Sequence, residues 1–346
     1  MLDYAEAGSY VGLDVHSQKT AIKAIAPDRS ALLETTIATE STKLRKALRS
    51  LPKPIWVMAE SGCMTGYIVT ALQKAVDRVV ICETRENRWI SMSEDKGDPQ
   101  DADRLARLLR MGEFKEVHVP GPKRYALREL MSAYHKNVAD GVRIKNRIKA
   151  VYRKNAIPAT GSVLFTKHGR EQWLKKLKVP CTRFMQESQY EQMDAVETNQ
   201  RKLLGKLDRE LRRTKEYGLL KTIPGVGTVT AAIFITVIDD PFRFSTKRKL
   251  WKYAGLSVRS TWSSNPDTAH KGGSPSGNRL LKYGAMMASV NALRGDNRFT
   301  RHYANMRASG IATGMAKRTI ARQILAVAWA MWKTGTPYND ACGTIK

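Results

Sequence analysis

Four carboxylates in the first third of the chain have the types and spacing to hold divalent cations. Asp14 lies inside an apolar run, Tyr10-Val11-Gly12-Leu13-Asp14-Val15-His16, and Glu60 ends a second, Trp56-Val57-Met58-Ala59-Glu60. An ionised carboxylate in such a setting is costly unless it is paired or bound to a metal. In open α/β sheets, ligands gather at the carboxyl ends of strands. If the two runs are neighbouring strands, Asp14 and Glu60 converge there. Like charges held close raise each other's pKa, and a divalent cation relieves that conflict. Mg²⁺ favours carboxylate oxygens together with substrate phosphate. Asp98 and Asp101 follow at i,i+3, on one face of an expected helix. Together the four describe a two-metal phosphoryl-transfer site, in which paired cations stabilise attacking and leaving oxygens.

Each acid also has a plainer reading. Asp14 and Glu60 could be strand-end residues facing solvent. Asp98 is a good N-cap, Pro99 suits the first helical position, and Asp101 suits the third, as a variant capping box. Capping and metal binding are compatible, since both use the same helix start.

The elements that must position these acids read as an α/β layer structure. Ser9–Val15, Pro54–Ala59 and Arg78–Cys82 are short apolar runs consistent with buried strands, and Thr20–Ala26 and Leu32–Ala38 extend the first into a meander. Thr42–Leu51, Thr65–Val76 and Asp98–Met111 read as helices between or after them.

Beyond about residue 120 the strand signals fade. Gly121–Pro180 carries 15 Lys/Arg against 3 Asp/Glu. Within it Arg143 stacks above Arg147, and Lys145 above Lys149, at i,i+4, while Ile144 and Ile148 share another face. Gln189–Tyr217 reads as a second charged helix. Two long helices around a Pro/Gly-containing middle suggest an antiparallel hairpin or an intermolecular coiled coil. A solvated face is the bland alternative, but such faces usually mix signs.

The last third holds Ile223-Pro224-Gly225-Val226-Gly227, which is similar to the turn of a helix-hairpin-helix, where glycines let backbone N–H groups approach a phosphate. A Gly/Ser-rich loop, His270–Gly277, follows, with Asn278 as a candidate N-cap. The final helix, Met315–Trp332, starts with Lys317, Arg318 and Arg322 and becomes apolar nearly all round, as a core helix does.

The whole chain has 346 residues, 59 Lys+Arg and 32 Asp+Glu, for a formal charge of +27, with 42% hydrophobic residues. That apolar content excludes a wholly disordered basic protein. The charge points to nucleic acid, because Lys and Arg release condensed counterions from phosphates. Cys63, Cys82, Cys181 and Cys342 form no CxxC pair and no disulfide frame, which points to a reduced compartment without structural zinc. No run of about 18 apolar residues suggests a membrane span, and the opening MLDYAEAGSY lacks the apolar stretch of a secretory signal.

The residues Gly12-Leu13-Asp14-Val15-His16, Ala59-Glu60-Ser61 and Lys96-x-Asp98-x-x-Asp101-Ala102, followed by Leu105-Ala106, resemble the DEDD transposases of the insertion-sequence-110 family, which includes the Piv invertase. Order and spacing of all four acids agree, with Gly97 where the family commonly has Thr. The resemblance implies that Asp14, Glu60, Asp98 and Asp101 are catalytic and bind Mg²⁺ or Mn²⁺. It also implies a first domain, 1–120, similar to the RuvC junction resolvase and its RNase H-like fold. A basic helical, coiled-coil linker and oligomerisation region, 121–217, would follow, then a mainly helical transposase domain, 218–346. In fold class this is α/β plus all-α.

Tyr253-Ala254-Gly255-Leu256 and Lys271-Gly272-Gly273-Ser274-Pro275-Ser276-Gly277-Asn278-Arg279 resemble the family's Ala-Gly-Leu and Ser-x-x-Gly-Asn segments. Ser274 aligns with the nucleophilic serine. Pro275-Ser276 replaces a basic dipeptide, so Ser276 is a rival, and the Pro often found after the Ala-Gly-Leu segment is missing. A serine attacking a phosphodiester conserves the bond for rejoining. Lys271 and Arg279 would clamp phosphate, and Arg143, Lys145, Arg147 and Lys149 would grip nucleic acid.

The resemblance further implies a bacterial mobile-element recombinase that acts in the cytoplasm at the nucleoid. Its partners would be double-stranded DNA and a noncoding bridge RNA. Dimers pairing into tetramers would unite acids and serine, which lie about 170 residues apart in sequence. Two other readings stay open at this point. One is a hydrolytic, resolvase-like nuclease using the same acids and water. The other is a catalytically silent nucleic-acid-binding protein.

Overall fold

The computed structural model describes residues 7–83, 98–260, 271–273 and 276–340. It divides into two compact units, Met1–Tyr125 and Ala126–Lys346.

The first unit is built on a five-stranded sheet. Its strands are β1 (Ser9–Val15), β2 (Lys19–Ile25), β3 (Ala31–Ala38), β4 (Ile55–Glu60) and β5 (Arg78–Cys82), in the order β3-β2-β1-β4-β5. β1, β2 and β3 form an antiparallel meander, while β4 and β5 run parallel to β1. The parallel steps need crossovers, and helices α1 (Ser41–Leu48) and α2 (Thr65–Leu72) supply them. Both helices are shorter than the apolar spacing suggests: α1 stops before Leu51 and α2 before Val76.

The central strands are apolar throughout because both sheet faces are covered. Val11, Leu13, Val57, Ala59 and Ile81 point into a core shared with Leu44, Leu48, Ile68 and Leu72 of α1 and α2. Tyr10, Met58, Val80 and Cys82 point to the opposite face, against Leu105, Ala106, Leu108 and Leu109. Those residues belong to α3 (Asp98–Met111), whose buried Ala102, Leu105, Ala106 and Leu109 repeat at i, i+3, i+4, i+7.

One contact fixes α3 on the sheet. A Cβ at Gly12 would come within 1.9 Å of the Ala102 carbonyl oxygen and 2.6 Å of the Ala106 nitrogen. Only glycine lets the helix backbone lie directly on β1.

The second unit starts with a helical hairpin. α4 (Pro122–Lys154) enters it from the end of the first unit and pairs with α6 (Pro180–Leu211). The pairing is antiparallel and within the chain: Gln200 Nε2 donates to the Asn137 carbonyl at 3.2 Å, Lys145 pairs with Glu197 at 2.8 Å, and the Tyr152 and Tyr190 hydroxyls meet at 3.1 Å. Burial and the Tyr190 hydroxyl hold the Tyr152 phenol well above its ordinary pKa. The hairpin's tip carries α5 (Lys167–Leu174) and a small core of Ile144, Ile148, Tyr152, Leu164, Tyr190 and Met193. The second long helix thus begins nine residues earlier than Gln189 and ends at Leu211.

The rest of the unit is a bundle of α7 (Lys215–Lys221), α8 (Thr228–Ile238), α9 (Lys247–Tyr253), α10 (Arg279–Ala292), α11 (Arg298–Ala308) and α12 (Thr313–Thr334). α8 is buried from Thr230 to Ile238 on all sides. The apolar half of α12 lies in the same core, as Ile320, Ile324, Leu325, Val327 and Ala328. A two-stranded ribbon, β6 (Val258–Ser260) with β7 (Lys271–Gly273), projects between α9 and α10 in the chain. Among the described residues no helix is long and apolar enough to cross a membrane.

Candidate active site and nucleic-acid interface

Asp14 and Glu60 stand at the carboxyl ends of neighbouring parallel strands. β1 and β4 pair in register from Ser9 with Ile55 to Leu13 with Ala59, so the next step sets Asp14 beside Glu60. Adjacent parallel strands lie about 4.8 Å apart. In both strands the alternation puts the acid on the face that α3 covers, two residues after Gly12 and Met58 respectively.

The direction of α3 follows from its other end. Arg110, in the last turn, donates to the Pro27 carbonyl at 3.4 Å. Pro27 follows β2 at the edge where Ile25 pairs with Tyr10, near the start of β1. The helix therefore runs opposite to β1, and its first turn, with Asp98 and Asp101, lies at the Asp14 end. Asp98 is the first residue of the helix, and its side chain lies outside the described residues.

The described acids already have neighbours. His16 Nε2 lies 3.3 Å from Asp14 Oδ2, and Arg104 donates to Asp101 Oδ1 at 2.8 Å. Asp14 is 21% exposed and Asp101 36%. Among the described residues, no group of three or more His, Cys, Asp or Glu is close enough to share an ion. Asp14, Glu60 and Asp101 share one end of the sheet, and the Asp98 side chain lies outside the described residues. The donor set itself fits Mg²⁺ or Mn²⁺, because it offers hard carboxylate oxygens at a strand-end site. His16 and Arg104 were not singled out from sequence. Both have a local signal: i+2 on a strand and i+3 on a helix each return to the same face.

The serine segment is anchored on both sides. Gly273 pairs with Val258 in the ribbon. Gly277, at φ +122°, packs on Gly255, at φ +64°: a Cβ on Gly277 would meet the Gly255 nitrogen at 2.4 Å. Asn278 N donates to the Tyr253 carbonyl at 2.7 Å, and its side chain caps α10 by accepting from Leu281 N at 2.9 Å. The Ala-Gly-Leu and Gly-Asn segments, about 20 residues apart in sequence, are therefore one packed unit. Ser274 and the Lys271 side chain lie outside the described residues; Ser276 and Arg279 are exposed.

The Ile223–Gly227 turn joins α7 to α8, as a helix-hairpin-helix would. Gly225, at φ +83°, faces inward: a Cβ there would meet the Ala288 carbonyl oxygen of α10 at 2.2 Å. Its glycine is required by packing against the bundle. Gly227 has open space around it.

The basic helix residues divide by environment. Arg143 and Arg147 are exposed, with Arg143 paired to Asp140. Lys145 and Lys149 are half-buried, each ammonium 5.5 Å from the Phe165 ring, and Lys145 is also held by Glu197. Cations over an aromatic face gain electrostatically, so these two lysines also brace the hairpin tip.

The family description "Transposase", of the DEDD IS110 type, matches residues 11–154, and "Transposase IS116/IS110/IS902 family" matches residues 217–304. An uncharacterised 43.6 kDa protein of insertion element IS110 from Streptomyces coelicolor is 31% identical over 149 residues, 43% of this chain and 36% of that protein. The chain thus spans about a third of that relative. A Sinorhizobium fredii protein named as a candidate transposase, y4qE, is 24% identical over 95% of this chain and 89% of its own length. Both family matches name the same group, and the first contains Asp14, Glu60, Asp98 and Asp101 while the second contains Ser274: the chain belongs to the IS110 family of transposases.

Proposed function

We propose that the chain cleaves and rejoins double-stranded DNA at the ends of its mobile element and at a target, with Ser274 as nucleophile. The observation that carries this reading is the in-register placement of Asp14 and Glu60 at the ends of β1 and β4, with the first turn of α3 above the same end. The meander followed by two parallel strands also supports a RuvC or RNase H-like first domain.

Asp14, Glu60, Asp98 and Asp101 would hold Mg²⁺ or Mn²⁺. When bound, such a cation supplies positive charge to the scissile phosphate and its oxygens. The Ser274 oxygen forms a bond to phosphorus and gives up its proton. The bond from phosphorus to the departing strand's oxygen breaks, and that oxygen gains a proton. The count of phosphoester bonds is unchanged, so a strand hydroxyl can reverse the step onto a new partner without outside energy. Lys271 and Arg279 flank the serine and would bind the phosphate, while Arg143 and Arg147 offer exposed charge to a backbone. Partner recognition by a bridge RNA, and assembly as dimers and tetramers that unite acids with serine, complete the reading.

Asp14→Ala is expected to abolish cleavage of a duplex carrying the element's ends while leaving duplex binding within about twofold. Ser274→Ala is expected to abolish a covalent protein–DNA adduct. Cleavage by the Asp14 variant would overturn the cation reading. An adduct mapping to Ser276 would move the nucleophile, and products without any adduct would make the reaction hydrolytic.

A further inference from the structure

A groove of about 350 Å³ opens at the tip of the helical hairpin, between the end of α4 and the start of α6. Ligand sites commonly span about 300–1,000 Å³. Arg147, Ala150, Val151 and Lys154 form one wall, at i, i+3, i+4 and i+7 on a single face of α4, and Asn155 follows at the helix end. Thr182, Met185 and Gln189 form the other wall, on a single face of α6.

Three chemistries meet there. The first is positive charge. Arg147 and Lys154 are exposed, and among the described residues neither is paired with an acid. They stand two turns apart, about 10 Å along the helix axis, and no carboxylate is among the lining residues. The start of α6 adds to this potential, because its N-cap, Val179, offers no side-chain bond to the free N–H groups of the first turn. The second is apolar surface, from Val151 and from Met185, which is 46% exposed. The third is an unspent acceptor: Gln189 Oε1 is buried with no donor among the described residues. Such an orphan is costly, and rotation about the broad terminal torsion can turn it towards the groove.

These features match the phosphate, the base face and the base edge of a nucleotide. Duplex bases are stacked and paired, so only a splayed base of a single strand can enter such a recess. We propose that this groove seats one unstacked nucleotide of a single-stranded nucleic acid. Its flanking phosphates lie on Arg147 and Lys154, its base packs on Val151 and Met185, and Gln189 accepts from the base edge. The groove shares no residue with the acids or the serine segment. The inference rests on the reading that the chain handles nucleic acid, but its test needs no catalysis.

The test is equilibrium binding of the full-length protein to a fluorescent single-stranded RNA, a single-stranded DNA of the same sequence and a blunt duplex, each from 50 to 300 mM salt. Each phosphate contact adds about 0.7 to the slope of log K against log salt for a single strand. Arg147→Gln and Lys154→Gln should each lower the single-strand slope by one such step. Gln189→Leu should weaken single-strand binding about fivefold, the worth of one hydrogen bond, with the slope and the duplex affinity unchanged. Losses confined to RNA or to DNA assign the nucleotide to that strand, and losses in both assign a shared seat. Arg153→Gln, exposed and outside the lining, is the control. Wild-type single-strand binding by Lys154→Gln and Gln189→Leu, equal losses of theirs with the duplex, or an equal drop for Arg153→Gln would overturn the proposal. So would a smaller assembly for Met185→Ser in sedimentation with single-strand affinity intact, since the groove would then belong to a second copy of the chain. Lys154→Gln, at an exposed position, keeps the proposal testable if Gln189→Leu does not fold. A wild-type chain with these affinities but no cleavage would count against the proposed reaction alone.

Discussion

At the scale of single residues, Gly12 ties the fold to the site. Its missing side chain lets the α3 backbone lie on β1, and that contact holds the first turn of α3 at the Asp14 end. Gly12→Ala forces a Cβ to within 1.9 Å of a backbone oxygen, which only a helix shift can relieve. Overpacking of this kind typically costs about 1–3 kcal/mol. The upper part of that range is expected here, because main chain must move. Urea unfolding should report the loss, and cleavage should fall along with it. A variant with wild-type stability and activity would show that α3 does not need this seat. Neighbouring residues illustrate what sequence can carry. Asp14 and Glu60 stand out because acids in or at the end of apolar runs are costly, and Asp98 and Asp101 because i,i+3 spacing sets them on one helical face. Arg104 and His16, which occupy two of those acids, look like ordinary surface residues until helix and strand periodicity are applied to them.

At the scale of elements, short apolar runs and the β-rich segments between them mark all five strands of the first unit within a residue or two. The helices were less legible. α1 and α2 stop short of the last apolar residues, because Leu51 and Val76 are recruited to the sheet's core from the following loops. The two long helices were visible as charged stretches, yet their pairing depends on contacts between residues some 40 to 60 apart, such as Tyr152 with Tyr190. Periodicity alone does not contain such pairs. The end of the chain shows a similar long-range tie. Asp340 accepts from the Arg298 backbone N–H at 2.9 Å and from the Tyr338 hydroxyl at 2.7 Å, and it also pairs with Arg301. These bonds lower the Asp340 pKa to about 2. A depressed carboxylate contributes stability that is complete above its unfolded pKa, near 3.9, and lost as pH falls through the folded value. Asp340→Asn should therefore melt lower than the wild type at neutral pH, with the gap closing between about pH 4 and pH 2. A gap that stays constant down to pH 2 would mean that the carboxylate's charge is not what holds this segment.

At the scale of the whole molecule, the dominant fact is a formal charge of +27 on 346 residues. Much of that charge is locally answered: Lys145 by Glu197, Arg170 by Asp194, Arg212 by Asp208. Such half-exposed pairs contribute little each, and 32 acids cannot balance 59 bases. Uncompensated repulsion lowers the stability of the compact state. Two remedies exist in solution, salt that screens the charges and a polyanion that neutralises them, and they act against each other. Salt alone should raise the melting temperature of the free protein. A random-sequence duplex should raise it further at 50 mM salt, since a ligand for the folded state stabilises by mass action. That second increment should shrink steeply by 200 mM salt, as counterion release weakens the binding. The measurement is thermal unfolding with and without duplex at the two salt concentrations. A melting temperature indifferent to salt and to duplex would mean that the excess charge is spread too thinly to govern either stability or binding. An increment that survives 200 mM salt undiminished would assign the binding to contacts other than phosphates.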